Sequence, residues 1–524
     1  MVYCGRASRA CSNCRLRRIR CNLVEPACMQ CLRAGKICPG YRDQLSLLFR
    51  DESAKVIKKA RSLEIPRRCR ETRQNEERPK KSLDVSVLLP SNDSSILGSL
   101  SLHSLLSSTS LEDLGITFLT CYVAVISPFA TAQSSASSSP LFTSKASVDA
   151  VSCVGLAGLS NVTNNQDLMM IAQHKYAATI RHVGAALQEP VSADLDDTFR
   201  AVIMLALFEV VNCTSQSGKA WGLHVDGAAA LLRTIASKQP PRQPGLRMQL
   251  HFCFLAFIRY LQSGQNVPAS FSEWSRYCRD SQCPADYPAA SLVGIVSRFV
   301  DLHASIKSVH TPNADIIVRN ALLCEAELEE WEATLPGHWG YGAASPREPE
   351  SRMFNGQYYI YNDIWIGRIL DHYRWSRILV NEMLLIYIGK IAPHPLEYNT
   401  QRTKSLAIIS QMATEICVSV SGQLYCNTLP ISKIRLVPAT SGFFLLLFAV
   451  AVAGSSFGVS EELHGWVAKL LEEIGHKMGI RRALMLVPAM KKQRERWAQD
   501  VEALPHHAMV GIARERAVWD RELF

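Results

Sequence analysis

The 524-residue sequence lacks a long hydrophobic run: its longest strongly apolar stretch, Phe443 to Ala453, is too short to span a bilayer. The first residues also lack the apolar segment of a secretory signal, so we expect a chain that is neither exported nor membrane-embedded. No stretch shows the alternation of apolar and polar residues that is typical of a half-buried strand. These absences predict a helical protein inside the cell.

The sequence also lacks the short motifs that accompany common enzyme chemistry. It contains no H-E-x-x-H, no G-x-S-x-G, no Walker A loop and no G-x-G-x-x-G. His224 and Asp226 lie close together, but an offset of two residues places them on different faces of a helix. We therefore predict no catalytic residues and no enzyme activity.

Cysteine is abundant instead, and six of the 17 cysteines fall in a repeated spacing. Three cysteines separated by two and then six residues are followed, 17 positions later, by a second set with the same spacing. The other eleven show no metal-ligand spacing, and we expect most of them to be buried thiols in a reducing compartment. The repeated set consists of Cys11, Cys14, Cys21, Cys28, Cys31 and Cys38.

This spacing predicts a centre with two zinc ions. Zinc held by thiolates prefers four ligands, so two ions need eight coordination positions, and six sulfurs supply them only if two sulfurs bridge. The repeat indicates its two equivalent first cysteines, Cys11 and Cys28, as the bridges. The open alternative is a single zinc held by these two with Cys14 and Cys31. A segment this short has no apolar core, so we expect it to be unfolded without metal.

Arginines mark the first half of the repeat as the candidate DNA-binding surface. Four of the six residues between Cys14 and Cys21 are basic, against two of six between Cys31 and Cys38. On a short helix these side chains would enter the major groove, where arginine forms two hydrogen bonds with guanine. The predicted DNA-binding residues are Arg15, Arg17, Arg18 and Arg20.

The segment resembles the fungal binuclear zinc cluster (Zn2Cys6) transcription factors. The resemblance rests on the six cysteines, the arginine-rich first loop, Pro26 and Gly35. It implies that Arg18, where the family has a lysine, reads CGG-type triplets. Arginine also replaces the usual lysine at Arg20, and Asn22 replaces the usual acidic residue after the third cysteine. Because arginine and lysine recognise bases differently, the resemblance predicts the preferred DNA triplet less directly than it predicts the fold.

Charge divides the chain. Residues 1–81 carry a net charge of +13 and the remainder −3, a distribution typical of a nucleic-acid-binding end. We predict a Zn2Cys6 DNA-binding domain at 1–45, a basic and then Ser/Leu-rich linker at 46–109, and an all-helical regulatory domain at 110–524. Basic clusters within 55–61, 67–70 and 78–81 are candidates for nuclear import or phosphate contacts, or are solvated linker. The weak heptad pattern at 49–63 is barely two heptads long.

Helical periodicity dominates from about residue 110 onward. A break across 335–355 leaves open one large domain or two halves. Two stretches, Trp221 to Leu232 and Tyr361 to Glu382, are similar to segments of the helical domain in the same family. The predicted helices are 111–127, 166–188, 195–213, 219–236, 247–262, 291–308, 313–334, 358–390, 403–422, 441–453, 460–478, 481–500 and 508–522.

Several polar residues of the second stretch have two interpretations. Asp363, Trp365, Tyr373, Arg374 and Arg377 would line a ligand pocket or form a buried structural network, and the network is the favoured hypothesis, since pockets are few per protein.

The sequence as a whole thus predicts a small Zn2Cys6 module followed by a large all-α domain. The predicted function is a nuclear, sequence-specific transcription factor of the RNA polymerase II type, with two Zn²⁺ per chain, that recognises GC-rich CGG-like triplets in double-stranded DNA. We expect a homodimer and no membrane partner; the small-molecule effector, if any, is unknown. The resemblance implies control of metabolic gene clusters, those for secondary metabolites included. The alternative is a zinc-dependent protein-interaction or nonspecific nucleic-acid-binding module.

Overall fold

The structure is a computed structural model with a small N-terminal module and a large helical part. It describes residues 10–24, 27–36, 38–40, 111–119, 144–188, 194–238, 243–269, 271, 273–274, 284–308, 313–345, 353–391, 396–425 and 443–502. The weak heptad segment 49–63, the three basic clusters, Pro26 and the predicted helix 508–522 lie outside the described residues.

The N-terminal module contains two short helices, α1 (Ser12–Leu16) and α2 (Met29–Arg33). Its buried apolar core consists of Ala10 and four of the repeated cysteines, and the remaining two, Cys21 and Cys38, pack against them. A core made almost entirely of sulfur gives little hydrophobic stabilisation. The stability of this module must therefore come mainly from what its sulfur atoms bind.

The helical part begins with a group of six helices. These are α3 (Leu111–Phe118), α4 (Lys145–Thr163), α5 (Gln166–Gln188), α6 (Leu195–Asn212), α7 (Ser217–Lys238) and α8 (Gln243–Ser263). α4 lies at their centre and packs against α3, α5 and α6. α7 packs on α6, which brings the Trp221 to Leu232 stretch into the core.

Helix α4 was not among the predicted helices. It is buried on nearly all sides, so its sequence shows no apolar stripe of helical period. Its glycines allow close approach: a Cβ on Gly155 would overlap the backbone of Gly115 in α3, and a Cβ on Gly479 would overlap the backbone of Gly158. Small residues serve packing here, although they resemble loop composition in the sequence.

The second group contains α9 (Tyr287–Ser308) and α10 (Ala314–Ala333), followed by a two-stranded antiparallel hairpin. Strand β1 (Tyr341–Ala344) pairs with β2 (Tyr358–Tyr361), with Tyr341 opposite Tyr361. The prediction of a helix from residue 358, and of no strand, was wrong here. Aromatic and β-branched residues favour the strand, and the helix begins after Asp363, whose carboxylate accepts the Trp365 N–H at 3.0 Å.

Helix α11 (Ile364–Ile388) runs through the middle of the second group and is buried along almost its entire length. It packs against α10 and α12 (Leu396–Tyr425). The chain then forms α13 (Phe443–Ser455), α14 (Glu461–Lys477) and α15 (Arg481–Glu502). α15 also contacts α6.

One apolar core runs through both groups, from Phe118 to Met490, within the described residues. This continuity contradicts the alternative of two halves separated near 335–355. The described ends of the stretch 335–355 belong to the same core, since Trp339 and Phe354 are buried in it. The predicted boundaries at 45 and 110 stay predictions.

Two helical stretches, Tyr287–Ser308 and Tyr398–Gln423, are long and apolar enough to cross a membrane by length and composition alone. In both, 61% of the apolar window is buried inside the fold. Their apolar side chains therefore meet other helices, as in the core of a globular domain.

Candidate metal centre and nucleic-acid interface

The six repeated cysteines come together in two groups of four sulfurs. One group contains Cys14 and Cys21, the other contains Cys31 and Cys38, and both contain Cys11 and Cys28. Within each group all sulfurs lie within 4.8 Å of one another. The two shared cysteines are those expected as bridges from the repeat, and Cys14 and Cys31 fall in different groups. This arrangement disfavours the single-zinc alternative.

The separations between sulfurs fit zinc. Cys11 Sγ lies 3.6 Å from Cys28 Sγ and 3.7 Å from Cys31 Sγ, and Cys14 Sγ lies 3.6 Å from Cys28 Sγ. A tetrahedron with Zn–S bonds of about 2.3 Å has edges of roughly 3.8 Å. The donor set and its spacing therefore suit zinc held by four thiolates in each group.

The two shared sulfurs hold their protons firmly without metal. The Cys14 N–H lowers the pKa of Cys11, but burial and hydrogen bonding with the Cys14 thiol raise it to about 12 overall. Burial likewise raises the pKa of Cys28, against a hydrogen bond from the Cys31 N–H at 3.3 Å. Metal must displace these protons, so zinc binding to the module releases protons and weakens as the pH falls.

The pKa values of the two outer thiols, Cys21 and Cys38, are lowered instead. Burial raises the pKa of Cys21, but N–H donors from Cys11 and Leu23 lower it on balance. The N–H groups of Cys28 and Gly40 lower the pKa of Cys38 to about 7. The donors correspond across the 17-residue repeat, so the internal symmetry extends from the cysteines to the backbone hydrogen bonds around them.

Both short helices end in the same way. Ile19 N–H donates to the Cys14 carbonyl at 3.0 Å, and Lys36 N–H donates to the Cys31 carbonyl at 3.0 Å. Each bond closes over a residue in the left-handed region, Arg18 at φ +52° and Gly35 at φ +59°. This is the Schellman ending, which most often uses glycine.

The sequence had suggested that the four arginines lie on one short helix, and the structure shows that they do not. Arg15 belongs to α1, but α1 ends at Leu16, so Arg17, Arg18 and Arg20 follow it in the turn. These three side chains are exposed. The turn thus presents a positive surface beside the sulfurs, as phosphate and guanine contacts require.

Asn22 has a structural role that sequence reasoning missed. Its Oδ1 accepts the N–H of Met29 at 3.1 Å, at the first residue of α2. This bond connects the segment after the third cysteine to the start of the second half. A short polar side chain at that position gives no signal in the sequence, because its partner lies seven residues away.

His224 and Asp226 have separate partners, as their spacing predicted. His224 Nε2 lies 2.7 Å from the Tyr176 hydroxyl, which donates to Glu209 at 2.7 Å. Asp226 instead pairs with Arg259 at 3.3 Å. Burial lowers the pKa of His224 to about 4, so the ring is neutral and joins α5 to α7. This geometry is a packing contact between helices.

The polar residues of α11 form a buried network. Arg374 donates to Asp371 at 2.8 Å, to Glu415 at 3.1 Å and to the Tyr361 hydroxyl at 3.2 Å. Through these bonds α11 holds both the hairpin and α12. The ligand-pocket interpretation of Arg374 loses its basis, because the guanidinium already binds Asp371 of its own helix, the hairpin and α12.

A second and a third cluster complete this network. Arg377 binds Glu325 at 2.8 Å and the Tyr373 hydroxyl at 2.6 Å, which joins α11 to α10. Asp363 accepts from Arg247 at 2.7 Å, and the same guanidinium lies 4.4 Å from the centre of the Trp365 ring. All five residues that the sequence assigned either to a ligand pocket or to a buried network therefore have partners within the fold.

Comparison with known families gives two matches. Residues 9–47 match the family model described as the fungal Zn(2)-Cys(6) binuclear cluster domain. Residues 118–309 match the model described as the fungal specific transcription factor domain. No curated protein and no solved structure matches the chain.

Proposed function

We propose that the chain, which contains both matched domains, is a fungal Zn2Cys6 transcription factor that binds GC-rich, CGG-like triplets in double-stranded DNA to regulate transcription. The observation that carries the proposal is the pair of four-sulfur groups sharing Cys11 and Cys28, with exposed arginines in the adjacent turn. The matched families are transcription factors rather than enzymes, which supports the further proposal that the chain catalyses no reaction.

We propose two zinc ions per chain, with Cys11 and Cys28 bridging them. The shared sulfurs and the fit of the spacings to a zinc tetrahedron support this number. The module has almost no apolar core, and bound zinc would supply a rigid centre in its place. The six thiolates with two Zn²⁺ carry a net charge of −2, which the neighbouring arginines offset.

We propose that α1 and the turn after it read the DNA. Arg18 is the proposed base-reading residue, and Arg15, Arg17 and Arg20 are proposed phosphate or base contacts. The charge of all four, and the exposure of Arg17, Arg18 and Arg20, support the assignment. A guanidinium that makes two hydrogen bonds to guanine O6 and N7 contributes about 1–3 kcal/mol of discrimination. Arg18→Ala should therefore weaken and relax binding at the preferred site.

The remaining parts of the proposal rest on the family. We propose nuclear localisation, a homodimer and a target among metabolic genes, including secondary-metabolite clusters. The segment 49–63, one candidate for joining two copies, lies outside the described residues, and the helical domain is the other candidate. The buried networks of α11 support a structural core for that domain and identify no effector.

Selection of binding sites from random duplex DNA by the zinc-loaded full chain tests the proposal. Enrichment of a GC-rich triplet, repeated at fixed spacing for a dimer, is the expected result. Retention of DNA without enrichment of any sequence would favour the alternative of a nonspecific nucleic-acid-binding module. Failure to retain DNA at all at low salt would favour a protein-interaction module.

A further inference from the structure

A side-chain hydrogen bond connects the two halves of the sulfur centre. Asn13, in α1 between Cys11 and Cys14, places its Nδ2 3.6 Å from the Sγ of Cys31. The contact joins residues 18 positions apart and is partly buried. A donor at this distance is within reach of a sulfur acceptor and partly offsets a thiolate's charge.

This contact has no counterpart on the other side of the repeat. The residue 17 positions after Asn13 is Gln30, and the sulfur equivalent to Cys31 is that of Cys14. Within the described part of the chain, Gln30 donates no hydrogen bond to a cysteine sulfur. The sequence itself shows this difference only as asparagine against glutamine.

The backbone donors, in contrast, are matched between the halves. The shared sulfurs of Cys11 and Cys28 each receive the N–H of the residue three positions later. The outer sulfurs of Cys21 and Cys38 each receive two N–H groups at equivalent positions. The Asn13 amide is therefore an unmatched donor, and it acts on a sulfur that belongs to only one of the two groups.

We propose that Asn13 is a positioning residue that makes the Cys31–Cys38 group the more retentive zinc site, so that the cluster loses its metals in a fixed order. The Cys14–Cys21 group, which flanks the arginine turn, loses zinc first. Partners that hydrogen-bond to metal ligands typically change metal affinity by about 10–100-fold. The inference rests on the proposed two-zinc centre and adds a consequence: removal of one zinc equivalent abolishes sequence-specific DNA binding.

The test uses the zinc-loaded full chain. Zinc content is measured first, one equivalent is then removed with limiting chelator, and exposed thiols are alkylated and located by mass spectrometry. The expected result is alkylation at Cys14 and Cys21 at least tenfold above that at Cys31 and Cys38. In Asn13→Leu, which keeps a similar side-chain size, the ratio should fall to near one. The matched variant Gln30→Leu should keep the order.

The outcomes separate this inference from the function it rests on. A zinc content of one per chain would remove the two-zinc proposal itself. Two zinc ions with equal alkylation of both pairs in the unmodified chain would overturn the order, as would earlier alkylation at Cys31 and Cys38. An order that survives Asn13→Leu, or that Gln30→Leu abolishes equally, would remove the role of Asn13.

Discussion

Arg18 and Gly35 occupy the same position in the two halves of the repeat, 17 residues apart, and share a left-handed backbone, at φ +52° and +59°. The second half fills this position with the residue that suits it. The first half uses an arginine, at a cost of roughly 1 kcal/mol or more for an L-residue in this conformation. Backbone strain of this kind concentrates at functional sites. This cost is consistent with the proposal that the side chain of Arg18 binds DNA, although Leu23 has the same backbone conformation, at φ +58°, opposite Gly40.

Arg18→Gly should strengthen the fold and remove the function. Glycine relieves the left-handed strain, so the variant should retain zinc against a competing chelator as well as the unmodified module, or better by about 1 kcal/mol. It should also lose the preference for the selected DNA site by about 1–3 kcal/mol, because it lacks the guanidinium that we propose reads the bases. Chelator titration and duplex binding at fixed salt measure the two effects.

Lys36→Ala serves as the control for charge, since Lys36 is exposed and lies in the second half. It should weaken binding to specific and random duplexes alike, by a nonspecific electrostatic effect. If Arg18→Gly reduced binding to random DNA as strongly as binding to the selected site, the proposal that Arg18 reads bases would be wrong.

Gly35→Ala should weaken zinc retention by about 1–2 kcal/mol through backbone strain alone. A Cβ at this position would meet no atom within 4 Å, so steric overlap contributes nothing. The measurement is the same chelator titration. Unchanged retention would show that the left-handed turn after α2 is not needed in the metal-bound module.

The sequence predicted the sulfur centre better than any other part because its information is local. Ligand spacing within 28 residues determines which sulfurs can share a metal, and the structure groups them in that way. The left-handed backbone at Arg18 gave no such signal, because arginine does not mark a turn. The Asn13 contact depends on how the two halves fold onto each other.

The helical part was predictable where helices have one apolar face. Helix α4 was missed because burial on all sides removes that periodicity, and its serines and glycines resemble a loop. The hairpin was missed because Tyr358 to Tyr361 becomes a strand only by pairing with a segment before residue 345. Both errors arise from contacts between residues distant in sequence.

Arg374→Met should destabilise the helical part by about 3–5 kcal/mol, because it leaves the buried carboxylate of Asp371 without its cation. The matched control is Arg298→Met, which breaks an exposed pair with Glu327 and should change stability by less than about 1 kcal/mol. Urea unfolding followed by circular dichroism measures both. Similar values for the two variants would show that the α11 network contributes no more than a surface ion pair.

His251→Leu should change how stability depends on pH. His251 is buried in α8, and neither ring nitrogen has a hydrogen-bond partner within the described residues. Burial, with the neighbouring His372 and Arg368, lowers its pKa well below the usual 6.5. Below pH 6.5 the unfolded chain therefore binds a proton that the folded chain does not, and stability falls with falling pH.

Removing the ring removes this loss, so the variant should gain about 1.4 kcal/mol relative to the unmodified protein between pH 7.5 and 5.5. At pH 7.5 the two should differ little, because no hydrogen bond is broken. Phe254→Leu is the control on the same helix: Phe254 stacks on His372 at 4.1 Å but does not titrate, so its stability change should be similar at both pH values. Parallel pH profiles for His251→Leu and the unmodified protein would mean that His251 becomes protonated in the folded state, in contradiction to its burial beside His372 and Arg368.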